Sequence, residues 1–259
     1  MTPLRSLRAA VLSALALGGC DADASSDPPR PLDPVGTLYA LGGFTGRLPG
    51  EWVATADVFA YDPDADAWVA RAPMPTPRGE HNAVAFDGKI YVVAGRVPPA
   101  TAVRPMHVYD PAMDAWSTAP ALPTARYHAA TAVLDSLLCV LGGRVIENGV
   151  LRNLDAVEAF APRSGRWYTF QSLPGTRSGA AAATLGERIV FVGGEAFAPP
   201  RVHAITSLFD PEEDAWSSAD PPPVPVHGTG AVTVGGVVYV LGGGSAAGVR
   251  ASAANQAFD

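Results

Sequence analysis

The chain has 259 residues, of which 48% are hydrophobic and 17% charged, so it can bury a sizeable core and is not a disordered chain. Its 27 glycines and 25 prolines follow no three-residue period, which excludes a collagen-like protein and disfavours long helices. The net charge of −7 argues against nucleic acid as a partner, because affinity for phosphates comes from net basic surfaces. We therefore expect many short strands joined by turns.

The first 19 residues have the three parts of a secretory signal: Arg5 and Arg8, an apolar run too short to span a bilayer, and a small-residue end. The tetrapeptide LGGC, which ends at Cys20, resembles the bacterial lipobox, in which the cysteine thiol accepts a diacylglycerol. Residues 20–36 are rich in Asp, Ser and Pro and are predicted to be a tether. We expect a lipid-anchored protein of the bacterial cell envelope, attached to the inner or outer membrane, with ordinary secretion as the alternative.

One motif recurs along the rest of the sequence. Trp68, Trp116, Trp167 and Trp216 follow one another at intervals of 48, 51 and 49 residues, which indicates a repeat architecture. Three of the copies read YDPDADAW, YDPAMDAW and FDPEEDAW, whereas the third copy in sequence order reads FAPRSGRW and has Ala161 in place of the Asp. Asp and Pro favour tight turns, so each segment is predicted to be a hairpin with aromatic residues on both sides of its turn.

Each copy also contains an apolar run that ends in glycine: LYALGG (38–43), IYVVAG (90–95), LLCVLGG (137–143), IVFVGG (189–194) and VYVLGG (238–243). Four of these runs are preceded by a strand of small residues and a tight turn, so each copy is predicted to contain four strands. The double glycine, the aromatic residue and the tryptophan at these spacings resemble the kelch repeat, and the resemblance covers residues 37–259.

The resemblance implies an all-β fold, a β-propeller in which each kelch repeat forms one four-stranded blade around a central channel. About four and a half repeats are present. We expect the natural reading frame to continue beyond Asp259 to a six-bladed ring, so that the sequence is truncated at its C-terminus. The protein is expected to be a monomer.

Candidate binding residues lie on the face that carries the loops between blades and the loops after the second strand of each blade, where arginines outnumber acidic residues. Arg78, Arg126 and Arg177 occupy equivalent positions just before innermost strands, and Arg144 lies on the same face. Their planar guanidinium groups suit carboxylates. In kelch adaptors of animal ubiquitin ligases, arginines at the position of these three hold acidic peptides, so the resemblance implies the same role here. In the alternative, each arginine ties its loop to the carbonyls of a neighbouring blade or to Glu80.

His81, His128 and His227 begin innermost strands, so three imidazoles can approach the mouth of the channel. We interpret them as equivalent positions of the repeat with a shared structural role. They lack the paired spacing of metal ligands, so no metal and no cofactor is expected. His81 and His128 remain candidate ligand-binding residues. Cys139 lies inside an apolar strand and is expected to be a buried, inert thiol.

Two functions remain open. The first is a non-catalytic, lipid-anchored binding module whose arginine-rich loop face holds an anionic glycan or an acidic protein partner. The second is an enzyme similar to the sialic-acid mutarotases among bacterial kelch proteins, which open and reclose a sugar ring by acid–base transfer. Its candidate acid–base residues, opposed to an arginine, are Glu80, Glu147, Glu195 and His128.

Overall fold

The computed structural model describes residues 11–12, 37–46, 52–98, 101–248 and 251–259, and the regular elements in these ranges are all strands. Of the expected signal and tether, only the backbone of Val11–Leu12 is included; the rest, with Cys20, lies outside the described residues. Within the described ranges, no helix has the length and apolar character needed to cross a bilayer.

The strands form successive sheets in sequence order, and these sheets are the blades of a propeller. Blade 1 contains β1 (Val11–Leu12), β2 (Leu38–Leu41), β3 (Phe44–Thr45), β4 (Val53–Ala54), β5 (Val58–Asp62) and β6 (Ala67–Arg71). Its sheet has the order β1-β2-β5-β6, while β3 and β4 form a separate hairpin. Unlike the other neighbouring strands, β1 and β2 run parallel.

Blade 2 has the sheet order β7-β8-β10-β11, and the short strand β9 pairs with the end of β8. Its strands are β7 (Gly79–Phe86), β8 (Lys89–Val97), β9 (Thr101–Ala102), β10 (Met106–Asp110) and β11 (Ala115–Ala119). Blade 3 repeats this plan with β14 and β15 as a separate hairpin. Its strands are β12 (Ala130–Leu134), β13 (Leu137–Leu141), β14 (Arg144–Glu147), β15 (Val150–Asn153), β16 (Val157–Ala161) and β17 (Arg166–Phe170).

Blade 4 has the order β18-β19-β22-β23 with the hairpin β20–β21, and blade 5 has the order β24-β25-β26. The strands of blade 4 are β18 (Ala181–Leu185), β19 (Arg188–Val192), β20 (Glu195–Phe197), β21 (Pro200–Val202), β22 (Thr206–Asp210) and β23 (Ala215–Ala219). Those of blade 5 are β24 (Gly230–Val234), β25 (Val237–Leu241) and β26 (Asn255–Phe258). The predicted all-β propeller of four-stranded blades is confirmed, and a continuation to six blades stays a prediction.

The hydrophobic core lies between the blades rather than within one of them. Along β19, Ile189 and Phe191 pack against blade 3, while Val190 and Val192 pack against blade 5. Such a strand is buried on both faces, which is why the glycine-ended runs are continuously apolar instead of alternating. Phe191 and Phe209 are completely buried at the junction of blades 3 and 4, and each side chain of this size stabilises the fold by about 1.5–3 kcal/mol.

In blades 2 and 4, a pair of side chains in the Asp-Ala-Trp segment clamps the blade to the one before it. In blade 2, Asp114 accepts a hydrogen bond from the amide of Ala72 at 2.8 Å, and the indole of Trp116 donates to the carbonyl of the same Ala72 at 2.8 Å. The same two bonds, at 2.7 and 2.9 Å, join Gln171 to Asp214 and Trp216. The motif therefore carries contacts between blades as well as the turn that the sequence predicts.

Blade 3 makes only half of this clamp. Trp167 donates to the carbonyl of Pro120 at 3.0 Å, but the position of the clamping aspartate is Gly165. Because proline has no amide hydrogen, an aspartate at position 165 would find no donor on Pro120. The unusual third copy of the motif thus matches the residue that it contacts.

Candidate functional site

The loops between blades end beside the hairpins that follow the second strand of each blade. Isolated bridges pair Tyr127 with Arg144, Ser178 with Glu195 and His227 with Gly244. In blade 2, the continuous strands place Gly79 opposite Arg96. The first strands of neighbouring blades contact one another, so these paired positions border the mouth of the central channel on the face expected from the sequence, which we call the loop face.

Backbone hydrogen bonds link the blades around this mouth. The amides of His128, Gly179 and Gly228 each donate to the carbonyl of the equivalent residue one blade earlier, at 2.9, 2.7 and 2.7 Å, and the series starts at Glu80. All four residues have positive φ, between 51° and 62°, a conformation that glycine adopts freely and other residues adopt rarely. Glu80 and His128 therefore occupy positions suited to glycine, and strained residues of this kind concentrate at functional sites.

Four charged side chains from three blades form a series of ion pairs at the mouth. Nε of Arg96 lies 2.6 Å from Oε2 of Glu80, and Nη2 of Arg144 lies 3.4 Å from Oε1 of Glu80. Nη1 of Arg144 donates to Oε1 of Glu195 at 3.0 Å. The side chains of Arg96, Arg144 and Glu80 are 11–15% exposed. Arg144 therefore bridges carboxylates of blades 2 and 4 at a place that solvent reaches.

Aromatic rings hold both of these guanidinium groups. Cζ of Arg96 lies 4.9 Å from the ring centroid of Phe44 and 5.3 Å from that of Tyr127. Cζ of Arg144 lies 5.3 Å from the centroid of Tyr127 and 5.1 Å from that of Phe197. These are cation–π distances. Because both arginines contact Tyr127, their orientations are fixed by a shared ring.

Two imidazoles flank Glu195. Nδ1 of His227 lies 3.3 Å from Oε2 of Glu195, and Nδ1 of His128 lies 3.6 Å from Oε1. Nε2 of His227 donates to the carbonyl of Ala246 at 2.9 Å, so Nε2 carries a proton while Nδ1 faces a carboxylate. The doubly protonated form of His227 thus suits both of its neighbours. His128 lies against Gly179, where a Cβ would come within 3.0 Å of its ring.

The contacts around Glu80 and Glu195 lower the pKa of both carboxyl groups. Burial opposes ionisation of Glu80, but Arg96 and Arg144 hold its pKa below the ordinary value. Burial likewise opposes ionisation of Glu195, and hydrogen bonding together with nearby positive charge again lowers the pKa. Both carboxylates are therefore ionised at neutral pH.

The two histidines differ more strongly. Burial, reinforced by the charge of Arg144, lowers the pKa of His128 to about 4, so His128 is neutral. Burial also disfavours charge on His227, but Glu195 and the carbonyl of Ala246 outweigh it and raise the pKa above its ordinary value. One carboxylate thus stands between a neutral imidazole and one that favours the proton.

The structure places Arg78, Arg126 and Arg177 inside their blades, at most 2% exposed. Arg78 donates to the carbonyls of Ala94 and Pro105 and contacts Nδ1 of His107 at 2.9 Å. The equivalent guanidinium groups bond to a carbonyl in the second strand or directly after it and to a third-strand side chain: Arg126 to Val140 and Glu158, and Arg177 to Gly193 and Ser207.

These three arginines are therefore cross-links between a loop and the second and third strands. This is the structural alternative considered from the sequence, with one difference: the carbonyls belong to the arginine's own blade rather than to a neighbouring one. Direct contact of Arg78, Arg126 or Arg177 with a ligand stays a prediction, and their burial does not favour it.

The interpretation of the three histidines as equivalent positions is wrong. Counted from the buried arginine or its equivalent in each blade, His227 is the first residue, His128 the second and His81 the third, as the strand registers show. Alternate residues of a strand point to opposite sides, so one step of register changes the surroundings. His81 is 5% exposed and packs between blades 1 and 2 beside Gly42 and Gly95, outside the charged cluster.

The comparisons with known proteins agree with this architecture. A family profile described as the KLHDC2/KLHL20/DRC7 Kelch-repeats domain matches residues 35–243. The chain belongs to the kelch-repeat family. The solved structure of YjhT superposes on this kelch propeller with a TM-score of 0.73 at 17% identity, over 85% of this protein and 77% of that one. At that identity the likeness concerns the fold alone.

Curated kelch relatives match over one short stretch. Kelch-like protein 15 of Homo sapiens, like its counterparts in Mus musculus and Rattus norvegicus, is 43% identical over 65 residues, which is 25% of this protein and 11% of the relative. Beta-scruin of Limulus polyphemus is 36% identical over 63 residues, 24% of this protein and 7% of the relative. Each match thus covers a small part of the curated relative, about a tenth of its length or less.

Sequence reasoning missed the importance of the position directly after the glycine that ends each apolar run. In successive kelch blades this position holds Phe44, Arg96, Arg144, Glu195 and Gly244. Counting from the glycines would have brought these residues together, since each follows a buried second strand at the channel mouth. Only Arg144 was singled out for binding and only Glu195 for catalysis.

The other candidates lie apart from the cluster. The side chain of Glu147 is 58% exposed in the β14–β15 hairpin, 4.0 Å from Arg152. Cys139 is buried, and burial raises its pKa to about 12, which fits an inert thiol. In the part of the protein that the structure describes, no three His, Cys, Asp or Glu side chains are grouped as metal ligands.

Proposed function

We propose that this kelch propeller binds an anionic glycan through a carboxylate-bearing sugar at the channel mouth, with Arg144 as the central contact. The observation that carries the proposal is the pair of arginines, Arg96 and Arg144, which aromatic rings hold beside Glu80 where solvent reaches them. Arg96 and Arg144 balance the charges of Glu80 and Glu195, and His227, whose pKa is raised, adds a positive charge when it takes up a proton. A partly desolvated cluster with more basic than acidic groups attracts an anion.

The side-chain types at the mouth favour a sugar. A sugar offers hydroxyl groups to planar charged side chains and C–H faces to aromatic rings. Arg144 supplies a planar donor between the rings of Tyr127 and Phe197, and the Glu80 carboxylate supplies acceptors beside it. An acidic protein is the other ligand that this charge would suit, and it becomes the conclusion if glycans fail to bind.

The test is a glycan array with the Cys20→Ser protein, presenting sialylated, uronic-acid and neutral glycans at low and high salt. We expect acidic glycans to bind and salt to weaken them. Arg144→Gln should weaken the best hit about tenfold or more, the loss expected from one charge-assisted hydrogen bond.

Arg152→Gln is the matched control, because Arg152 is 65% exposed on the hairpin strand that pairs with the strand of Arg144. We expect it to change affinity less than about twofold. Equal losses in both variants would mean that only general surface charge matters. An array without binding at either salt would overturn the glycan proposal.

A second candidate function is an acid–base enzyme of the sialic-acid mutarotase type. It is favoured by the position of Glu195 between His128, whose pKa is lowered, and His227, whose pKa is raised. Groups whose environments separate their pKa values can act as base and acid. The test follows anomer exchange of N-acetylneuraminic acid by NMR. Acceleration that Glu195→Gln abolishes would support the enzyme, and exchange at the uncatalysed rate would exclude it for this sugar.

The proposal also includes anchoring to the bacterial envelope through Cys20, supported by the LGGC tetrapeptide and the tether that follows it. We expect the full-length protein to fractionate with membranes and to incorporate a labelled fatty acid, and Cys20→Ser to do neither. Membrane association that persists in Cys20→Ser would overturn this part of the proposal and leave the glycan site unaffected.

A further inference from the structure

A second concave surface lies beside the mouth, between the hairpin of blade 1 and the end of β8 in blade 2. Its volume is about 360 Å³, near the lower end of the range for small-molecule sites. Its walls are formed by Trp52, Val53, Ala54, Pro77, Val97 and Pro98. None of these side chains is charged, so the cleft suits a small, neutral and partly apolar group.

The main wall of the cleft has a fixed plane. The ring of Trp52 stacks on that of Phe44, with centroids 5.4 Å apart and planes within 8° of each other. Phe44 in turn lies over Gly79, where any Cβ would come within 2.4 Å of the phenyl ring. Because Gly79 has no side chain, the stacked rings of Phe44 and Trp52 can lie directly over its backbone. A fixed indole is a surface on which the C–H face of a pyranose ring can stack.

Arg96 connects the cleft to the mouth. Its guanidinium lies 6.0 Å from the ring centroid of Trp52 and 4.9 Å from that of Phe44. The same guanidinium is bound to Glu80 at 2.6 Å. A ligand that occupies the mouth can therefore extend over Arg96 into the cleft.

We infer that the cleft is a second subsite, which takes the neutral sugar ring adjacent to the acidic sugar of a bound glycan. The inference rests on the proposed function, because the acidic ring must first occupy the mouth. Charge decides which ring occupies which site: the carboxylate of the acidic sugar binds at the mouth beside Arg96 and Arg144, and the uncharged ring stacks on Trp52.

The test compares two probes, N-acetylneuraminic acid, which is a single acidic ring, and 3′-sialyllactose, in which the same acid is linked to neutral sugars. We expect sialyllactose to bind about tenfold more tightly. Trp52→Ala should remove this advantage while the affinity for the free acid stays within about twofold. Trp52→Phe should keep most of the advantage, because a ring remains in place.

Trp68→Ala is the matched control, since Trp68 is 50% exposed in the outermost strand of blade 1 and should affect neither probe. Circular dichroism melting checks that each variant is folded. Equal affinities for the two probes, or equal losses of both in Trp52→Ala, would overturn the subsite. Residues 27–34 belong to the proline-rich tether. A peptide copying them would also overturn the subsite if it binds the unchanged protein but not Trp52→Ala, while sialyllactose binds both proteins equally. If neither probe binds to the unchanged protein, both the subsite and the proposed function fail for sialylated glycans. If Arg144→Gln weakens the binding of both probes and Trp52→Ala weakens neither, only the subsite fails.

Discussion

The arginines inside the blades and the arginines at the channel mouth use one side chain in two ways. Arg78, Arg126 and Arg177 recur at the same repeat position and bond within a single blade. Arg96 and Arg144 occupy a position whose residue type changes from blade to blade, and Arg144 joins carboxylates of two other blades. Residues that recur from repeat to repeat therefore hold the blade together, whereas residues that vary from blade to blade form the site.

The strongest test of the inner set is Arg126. In blade 3 its partner is Glu158, at 2.6 Å with side chains 0% and 6% exposed. Arg126→Met would leave that carboxylate buried without its partner, so we expect the free energy of unfolding to fall by about 3–5 kcal/mol in urea denaturation. The double variant Arg126→Met/Glu158→Met should recover most of this loss. A single variant as stable as the unchanged protein would contradict a structural role.

Arg144 should behave in the opposite way. Glu80 is 15% exposed, and the buried Glu195 keeps its contacts with His227 and with the amide of Gly248. We therefore expect Arg144→Gln to lower the free energy of unfolding by only about 1–2 kcal/mol. The same variant should weaken the binding of sialyllactose about tenfold or more. Urea denaturation and titration on one preparation check both values. If Arg144→Gln unfolds as readily as Arg126→Met, the mouth is scaffold and the comparison between the two sets breaks down.

The sequence was sufficient to predict the blades but not the site. The tryptophan spacing and the glycine-ended runs predict an all-β kelch propeller, because both depend on local turns and buried strands that each repeat forms in the same way. The face that carries the loops followed from the same map. Which arginines face solvent could not be predicted. Arg78 and Arg96 both map to the loop face in the sequence, but the side chain of Arg78 is buried inside the blade and that of Arg96 lies at the channel mouth.

The charged cluster depends on contacts between residues far apart in the sequence. Arg144 meets Glu195 from a distance of 51 residues and Glu80 from 64, and only the curvature of the propeller brings them together. The histidines show the same limit. His81 and His128 both begin an innermost strand, but one step of register places His81 between blades and His128 in the cluster.

The hydrogen bonds that clamp neighbouring blades are complete in blade 2 and incomplete in blade 3, so they allow the same comparison between recurring and altered repeat positions. Asp114→Ala removes the acceptor of the Ala72 amide and of the Tyr109 hydroxyl, so we expect a loss of about 1–3 kcal/mol in the free energy of unfolding. In blade 3, Gly165→Asp should give no gain because Pro120 has no amide hydrogen. Pro120→Ala combined with Gly165→Asp should be more stable than the sum of the single effects. Additivity in this double-mutant cycle would contradict the proposed clamp.

The smallest effect we expect is the contribution of His227 to the pH dependence of stability, which tests the charges at the channel mouth. Its pKa is raised in the folded protein, so its contribution to stability is complete below its unfolded pKa and is lost as the pH rises through the folded value. Glu195 has a lowered pKa, so its contribution is present above its unfolded pKa and is lost at more acidic pH. His227→Gln should therefore destabilise the protein at about pH 5–6 more than at about pH 8.5, as measured by urea denaturation.

His128 supplies the control, because its sign is opposite. Its folded pKa of about 4 lies below the unfolded value, so the unfolded protein takes up the proton first and stability falls as the pH drops below about 6.5. His128→Gln should remove that fall, so this variant gains relative to the unchanged protein at about pH 5 while His227→Gln loses. A shared direction in the two variants would contradict a lowered pKa at His128 and a raised pKa at His227.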